Sequence, residues 1–179
     1  MIEVKKLNDV INDIEKKTSK KSWINDQDLR KKKEAEFHDF SHHQETELDN
    51  KKFYKTTEIS TKYLKNWLKK NIKGKIFLDF ACGNGVTSIE ASRYKPKFVI
   101  GIDISSVSIN NAKKLAEENN VSDKTRFFVG DCENTLLPDN SIDVILCAGM
   151  LHHLDLSYTF PELRRILKPG GKIIAVEAL

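Results

Sequence analysis

Cysteine is scarce in this sequence, and its few cysteines do not form a metal-binding or disulfide pattern. Cys82, Cys132 and Cys147 are the only three in 179 residues, an odd set without a CxxC pair. This argues against a disulfide framework and a cysteine-ligated zinc site, and it predicts free thiols in a reducing compartment. No apolar run approaches the roughly 20 residues of a membrane helix, and no apolar signal core follows Met1. We therefore expect a cytoplasmic protein without a membrane partner.

A strong charge of one sign is also absent. The formal net charge is +4, with 31% charged and 39% hydrophobic residues, a balance typical of one globular domain. The basic excess lies within residues 1–72. A nucleic-acid or lipid surface could use that excess, but solvated helix faces are the simpler explanation. A nucleic-acid partner is therefore possible and is not favoured.

The hydrophobic pattern changes character near Lys73. Residues 1–72 carry apolar residues at helical spacing and are predicted to form a leading helical segment. Residues 73–179 alternate short apolar runs with helical stretches, which predicts an α/β domain with a doubly wound, mainly parallel sheet. The predicted strands are Lys75–Phe80, Lys97–Ile102, Arg126–Val129, Ile142–Cys147 and Lys172–Val176, and the predicted helices are Val86–Tyr94, Ser106–Asn119 and Tyr158–Leu167.

A tight, glycine-containing turn follows the first strand. Asp79 lies near the end of this strand, and Gly83 and Gly85 lie in the turn before the next helix. Ligands of open parallel sheets bind at the carboxyl ends of the strands, and glycine lets a ligand approach the backbone closely. Tight strand-to-helix turns also use glycine for steric reasons alone, so the glycine pair does not decide between the two roles.

Acidic residues also end the second and third strands. Asp103 comes 20 residues after Gly83, where a carboxylate can accept both hydroxyls of a ribose. Its alternative role is to cap the next helix, but Ser105 is already placed to do this. Asp131 follows the third strand and can accept a hydrogen bond from an exocyclic amine, unless it is simply a turn residue. Together these acids predict a nucleoside pocket.

Four motifs in this order resemble those of class I S-adenosylmethionine-dependent methyltransferases, close to the type 11 group. They are LDFACGNG, GIDIS, GDCENTLLPDNSIDVILC and LRRILKPGGK, across about residues 74–178. The resemblance implies a Rossmann-like methyltransferase core with S-adenosylmethionine as cofactor. It assigns Asp79, Gly83 and Gly85 to the methionine part of the cofactor, Asp103 to the ribose, Ile104 and Asp131 to the adenine, and Cys132 to a backbone contact.

Two further positions belong to this predicted cofactor site. Ala81 stands where the family usually has glycine, which weakens the motif without excluding the cofactor. Ala148 follows the fourth strand, where cofactor and substrate meet in the family. A dinucleotide-binding site is not favoured, because Ser88 replaces the third glycine of its fingerprint and the Asp79 carboxylate would repel a pyrophosphate.

The histidines form two clusters. His152 and His153 follow the fourth strand and are the candidate catalytic bases, although a structural role is the simpler explanation of this pair. His38, His42 and His43 lie in the leading segment. Two histidines four residues apart are too few for a metal centre, so no metal site is predicted. Residues 36–40 resemble a leading segment that folds over the cofactor in some relatives.

Two further expectations concern the methyl acceptor and the number of strands in the sheet. The residues after strand four lack the Asn/Asp-Pro-Pro-Tyr/Phe motif of nucleobase amino-methylating enzymes, and no Pro-Cys nucleophile is present. We expect in-line methyl transfer to O, N or C of a small molecule; the alternatives are an RNA or protein acceptor, or an inactive cofactor-binding module. The resemblance implies a sheet of seven strands, of which only five are predicted here. We therefore expect the C-terminal strands to be missing, which would leave the fifth strand free to pair with another chain.

Overall fold

Five parallel strands form the centre of the structure, a computed structural model that describes residues 4–44 and 58–177. The strand order is β3-β2-β1-β4-β5, and every neighbouring pair is parallel. The predicted α/β fold with a doubly wound parallel sheet is thereby confirmed. The strands are β1 (Ile76–Phe80), β2 (Phe98–Asp103), β3 (Thr125–Val129), β4 (Ile142–Ala148) and β5 (Leu167–Val176).

Helices cover both faces of this sheet. They are α1 (Val4–Thr18), α2 (Lys21–Asn25), α3 (Leu29–Gln44), α4 (Glu58–Asn71), α5 (Val86–Ser92), α6 (Ser106–Glu118) and α7 (Leu156–Ile166), with a 3₁₀ turn at Leu151–His153. The ends of α5, α6 and α7 differ from those of the three helices predicted within residues 73–179 by at most two residues. The predicted N-cap of α6 is confirmed, because the Ser105 side chain accepts from the backbone N–H of Ser108 at 3.0 Å.

The strand β5 differs most from its prediction. It begins at Leu167 and not at Lys172, because Leu167 pairs with Ile142 across a register shift in the ladder with β4. The intervening Pro169-Gly170-Gly171 sequence indicates a turn when it is considered alone. Pairing with a neighbouring strand has extended β5 through it.

The leading segment contributes to the core on both faces of the sheet. Leu7 and Ile11 of α1 pack in one hydrophobic cluster with Leu78 of β1. Leu68 of α4 packs on the opposite face, in a second cluster with Phe77 of β1. Burying these faces against the sheet stabilises helices whose apolar stripes would otherwise lie in water. The hydrophobic cores therefore run across the predicted division at residue 72.

The two edges of the sheet differ in their covering. Helix α1 lies against β3 at one edge. At the other edge, β5 is paired with β4 alone among the described strands, and Ile173 is 41% exposed. None of the described helices combines the length and the apolar character that crossing a bilayer requires.

Candidate cofactor-binding and acceptor site

A cavity of about 330 Å³ opens at the carboxyl ends of the strands. The strand order reverses between β1 and β4, and this switch point is where open α/β sheets bind ligands. Most of the residues predicted from the sequence lie in its wall. They are Asp79, Ala81, Gly83, Asp103, Ile104, Asp131, Cys132, Ala148 and His153. Gly85 and His152 do not line the cavity.

The turn after β1 brings a buried carboxylate to the cavity. Asp79 is 3% exposed, and its Oδ2 accepts a hydrogen bond from Ser88 Oγ at 2.6 Å. Burial raises the pKa of Asp79 to about 6, and the nearby Asp103 charge adds to this increase, while the hydrogen bond from Ser88 opposes it. A cationic ligand beside Asp79 would favour its ionised form.

Left-handed backbone geometry shapes this turn. The φ angles are +60° at Ala81, +51° at Gly83 and +76° at Gly85. An L-residue such as alanine adopts this region at a cost of roughly 1–2 kcal/mol, which explains physically why glycine is the expected residue at position 81. Alanine is nevertheless accommodated there, and the turn keeps its place in the cavity wall.

Gly85 has a packing role that the sequence did not distinguish from ligand binding. A Cβ atom at this position would lie 2.7 Å from Ala112 Cβ and 3.2 Å from Phe127 Cε1. No described atom would lie within 4 Å of a Cβ at Gly83. The two glycines are therefore required for different reasons: Gly85 lets the start of α5 pack closely on α6, while Gly83 borders the open cavity.

The carboxylate at the end of β2 organises two loops. Asp103 Oδ2 accepts from the Gly83 N–H at 2.8 Å, and its Oδ1 accepts from the Ser105 N–H at 2.9 Å. Asp103 thus helps to hold the turn before α6 as well as the glycine turn. Its carboxylate also lines the cavity, where ligand hydroxyls could approach it.

The acids after β3 form a charged cluster with α3, which sequence reasoning did not find. Lys31 Nζ lies 2.7 Å from Asp131 Oδ2 and 3.0 Å from Glu133 Oε2. Arg30 donates to Glu133 Oε1 at 2.6 Å and to the His153 carbonyl at 3.0 Å. Helix α3 therefore lies across the cavity and is bound to it by buried or half-buried charges.

The segment predicted to fold over the cofactor contributes polar contacts. His38 lines the cavity, and Asp39 accepts from Ser105 Oγ at 2.5 Å and from the Val107 N–H at 3.2 Å. The rings of Phe37 and Phe40 are exposed. A sequence signal for this arrangement exists in the helical spacing of Lys31, Glu34 and His38, which places three polar side chains on one face.

The two histidines after β4 have different surroundings. His153 lines the cavity, and its Nδ1 lies 2.6 Å from Glu34 Oε1. The His152 side chain is 59% exposed and its Nδ1 lies 3.0 Å from Glu177 Oε2. Glu177 also accepts from the backbone N–H groups of Met150 and Leu151, each at 3.0 Å, and so holds this loop in place.

Two cysteines in the cavity wall are unsuited to nucleophilic attack. Burial raises the pKa of both Cys82 and Cys132 well above the ordinary value of a thiol, and the nearby Asp103 carboxylate adds to this effect. A thiol with a raised pKa remains protonated at neutral pH and is a weak nucleophile. This agrees with the absence of a Pro-Cys motif in the sequence.

Comparison with known families identifies the fold that carries this cavity. A family model described as "Methyltransferase domain" matches residues 78–175, which is more than half of the chain. The chain belongs to this methyltransferase family. The prediction made from the four motifs is confirmed, and the matched residues include the turn after β1 and the carboxyl ends of β1 to β4.

Proteins similar to this methyltransferase domain have different named substrates. Ribosomal protein L11 methyltransferase of Photobacterium profundum is 33% identical over 118 residues, 65% of this chain and 38% of that protein. Sterol 24-C-methyltransferase ERG6B of Gibberella zeae is 35% identical over 95 residues, 52% of this chain and 25% of that protein. The chain thus spans less than half the length of these curated relatives.

A solved structure adds a ligand to the comparison. An S-adenosylmethionine-dependent methyltransferase from Thiobacillus denitrificans, in complex with S-adenosyl-L-homocysteine, is similar with a TM-score of 0.55 and 27% identity. The match covers 63% of this chain and 45% of that protein. The fold of the present chain is therefore shared with a methyltransferase that binds the demethylated cofactor.

Proposed function

We propose that this methyltransferase domain binds S-adenosylmethionine and transfers the methyl group to a nucleophilic O, N or C atom of a small molecule. The observation that carries the proposal is the convergence of three strand-end carboxylates, Asp79, Asp103 and Asp131, on one cavity of about 330 Å³. Similarity to a structure that contains S-adenosyl-L-homocysteine supports the same ligand.

Each carboxylate suits a different part of the cofactor. Asp79 is buried and gains an ion pair if the amino group of the methionine part lies beside it. Asp103 and Asp131 both line the cavity, where carboxylate oxygens suit the ribose hydroxyls and the adenine amine as acceptors. Lys31 now occupies Asp131 Oδ2, so we expect its ammonium group to shift when adenine binds.

The chain's own residues would prepare the acceptor. When S-adenosylmethionine is bound, its sulfonium group supplies an electrophilic methyl, and the acceptor must be aligned opposite the leaving sulfur. His153 lines the cavity and is the better placed of the two histidines to take a proton from the acceptor. Helix α3 and the loop after β4 would limit the access of water to this region.

The charge arrangement favours a small acceptor over RNA. Arg30 and Lys31, the basic residues of the cavity wall, are already paired with Asp131 and Glu133. Ammonium and guanidinium groups that are paired in this way are less available to phosphates. The sterol methyltransferase relative supports a small acceptor, whereas the ribosomal protein methyltransferase relative makes a protein acceptor the main alternative.

Binding is tested by calorimetry with S-adenosylmethionine and S-adenosyl-L-homocysteine. Asp103→Ala should weaken both by about 1–3 kcal/mol, roughly 5- to 150-fold, because the ribose hydroxyls lose a charged acceptor. Asp123→Ala is the matched control, since Asp123 is exposed and lies just before the amino end of β3, whereas the cavity lies at the carboxyl ends of the strands. Wild-type protein that binds neither ligand would refute the proposal.

The acceptor class is tested by methyl transfer from labelled cofactor into a cell extract separated into small metabolites, RNA and protein. We expect label in the metabolite fraction. Label in RNA or protein alone would replace the small-molecule assignment with a macromolecular one. Cofactor binding without transfer into any fraction would indicate a binding module.

A further inference from the structure

Glu34, His38 and His153 bring three potential metal-ligating atoms together in the cavity wall. Glu34 and His38 lie one helical turn apart on α3, and His153 follows β4, more than 100 residues later in the chain. Their ligand atoms all lie within 4.8 Å of one another. The sequence showed the histidines of α3 without the partners that the fold supplies, and no metal site was predicted there.

The spacing of these atoms is close to that of ligands around one ion. His153 Nδ1 and His38 Nε2 lie 2.6 Å and 3.3 Å from Glu34 Oε1. Bonds of about 2.0–2.2 Å from a shared ion place neighbouring ligand atoms roughly 2.9–3.5 Å apart, in octahedral or tetrahedral geometry. Small side-chain adjustments would bring the three atoms onto one ion.

The state of Glu34 Oε1 is a second and independent observation. This oxygen is buried and has no hydrogen bond of acceptable geometry within the described part of the chain. The two imidazole nitrogens are near it, yet their geometry does not satisfy it as a hydrogen-bond acceptor. An unsatisfied buried carboxylate oxygen is costly, and a cation between the three side chains would remove that cost.

The surrounding charges also leave Glu34 to be compensated. On the same side of the cavity, Arg30 and Lys31 are matched by Asp131 and Glu133. The ion-pair partners recorded for Glu34 in the described residues are His38 and His153, which are cationic only when protonated. A bound cation would supply a positive charge while both imidazoles remain neutral, which is the form that coordinates metals.

We propose that Glu34, His38 and His153 form a binding site for a divalent transition-metal ion of the zinc type. Two imidazoles and one carboxylate suit zinc, cobalt and nickel, whereas magnesium favours oxygen ligands. Three protein ligands leave at least one coordination position open, and all three side chains line the cavity. An oxygen atom of the acceptor could take that position, where the ion would lower the pKa of a hydroxyl group. With the ion bound, metal coordination would replace the role of His153 as a base, because its coordinated imidazole could not also accept the proton.

Only this last step, the coordination of the acceptor, rests on the proposed methyltransferase function. Ion binding itself is measurable without cofactor or acceptor. A protein that binds zinc but transfers no methyl group would separate the two proposals, as would an active protein that binds no zinc.

The test titrates metal-free protein with Zn²⁺ against a chromophoric chelator, and with Co²⁺ by absorption spectroscopy. We expect one ion per chain, with no displacement by equimolar Mg²⁺. Glu34→Gln and His38→Ala should each weaken Zn²⁺ binding by more than about tenfold, because each removes a ligand. Far-UV circular dichroism of each metal-free variant confirms that it is folded.

Two control variants distinguish this site from adventitious binding by the other histidines of the chain. His152→Ala removes the exposed neighbour of His153, and the double variant His42→Ala/His43→Ala removes the other two histidines of the leading segment. Both should bind Zn²⁺ as the wild type does. The proposal is overturned if the wild type binds no ion, if Glu34→Gln and His38→Ala retain full affinity, or if the double variant abolishes binding.

Discussion

The two glycines of the turn after β1 should respond very differently to alanine. Both have positive φ, so each substitution places an L-residue in the left-handed region, at a cost of roughly 1–2 kcal/mol. At Gly85 the new Cβ would also lie 2.7 Å from Ala112 Cβ and 3.2 Å from Ala112 Cα. Overpacking of this kind adds about 1–3 kcal/mol. We therefore expect Gly85→Ala to lower the free energy of unfolding by about 2–5 kcal/mol, and Gly83→Ala by about 1–2 kcal/mol.

Urea unfolding followed by far-UV circular dichroism measures this difference. For a chain of this size, the extra 1–3 kcal/mol corresponds to a melting temperature lower by roughly 2–12 °C. Cofactor affinity should show the opposite ranking. Gly83 borders the cavity, so Gly83→Ala should weaken S-adenosylmethionine binding by more than its small effect on stability suggests.

A double-mutant cycle tests the steric origin of the effect. Gly85→Ala should cost less in an Ala112→Gly background, because the closest contact is removed, although the 3.2 Å approach to the Ala112 backbone remains. Equal loss of stability in Gly83→Ala and Gly85→Ala, or an unchanged cost in the Ala112→Gly background, would show that close packing of the turn on α6 is not what requires Gly85.

Two other substitutions test buried carboxylates. Asp79→Asn should stabilise the cofactor-free protein at pH 8 by up to about 3 kcal/mol, because the pKa of about 6 exceeds the ordinary aspartate value of 3.8 and ionisation of this carboxyl group in the folded protein is unfavourable. The contribution of Asp79 to stability is full below pH 4 and is lost as the pH rises through 6. The difference in unfolding free energy between variant and wild type should therefore vanish in acid. A difference that does not change with pH in denaturant titrations would contradict this. Glu162→Ala should lower the free energy of unfolding by about 3 kcal/mol at pH 7, since Glu162 accepts from the Thr135 N–H at 2.8 Å and pairs with Arg165 at 2.7 Å. Substitution of the exposed Glu118 by alanine is the control. Equal unfolding midpoints for the two variants would refute this stabilising role of Glu162.

The sequence was sufficient for the parts of this protein that depend on local patterns. Short apolar runs and helical periodicity predicted all five strands and the helices between them, because burial of one face imposes a repeat on neighbouring residues. Parallel strands present their carboxyl ends at one edge of a sheet. Asp79, Asp103 and Asp131 could therefore be assigned to one cavity from the sequence alone.

Tertiary structure decided which of the predicted residues border the cavity and which residues join them. Gly85 and His152 satisfy the same sequence arguments as Gly83 and His153, yet packing on α6 and the contact with Glu177 place them outside the cavity wall. Those arguments cannot separate the members of either pair, because they share the same loop and spacing.

The position of α3 also depended on tertiary structure. Its apolar pattern is weak, so hydrophobic periodicity does not indicate where it packs. Ion pairs between residues about 100 positions apart, such as Lys31 with Asp131, hold it across the cavity and bring Glu34 to His153. Pairing over such distances in the chain leaves no periodic trace in the sequence, and it depends on how the loops after β3 and β4 meet the helix in three dimensions.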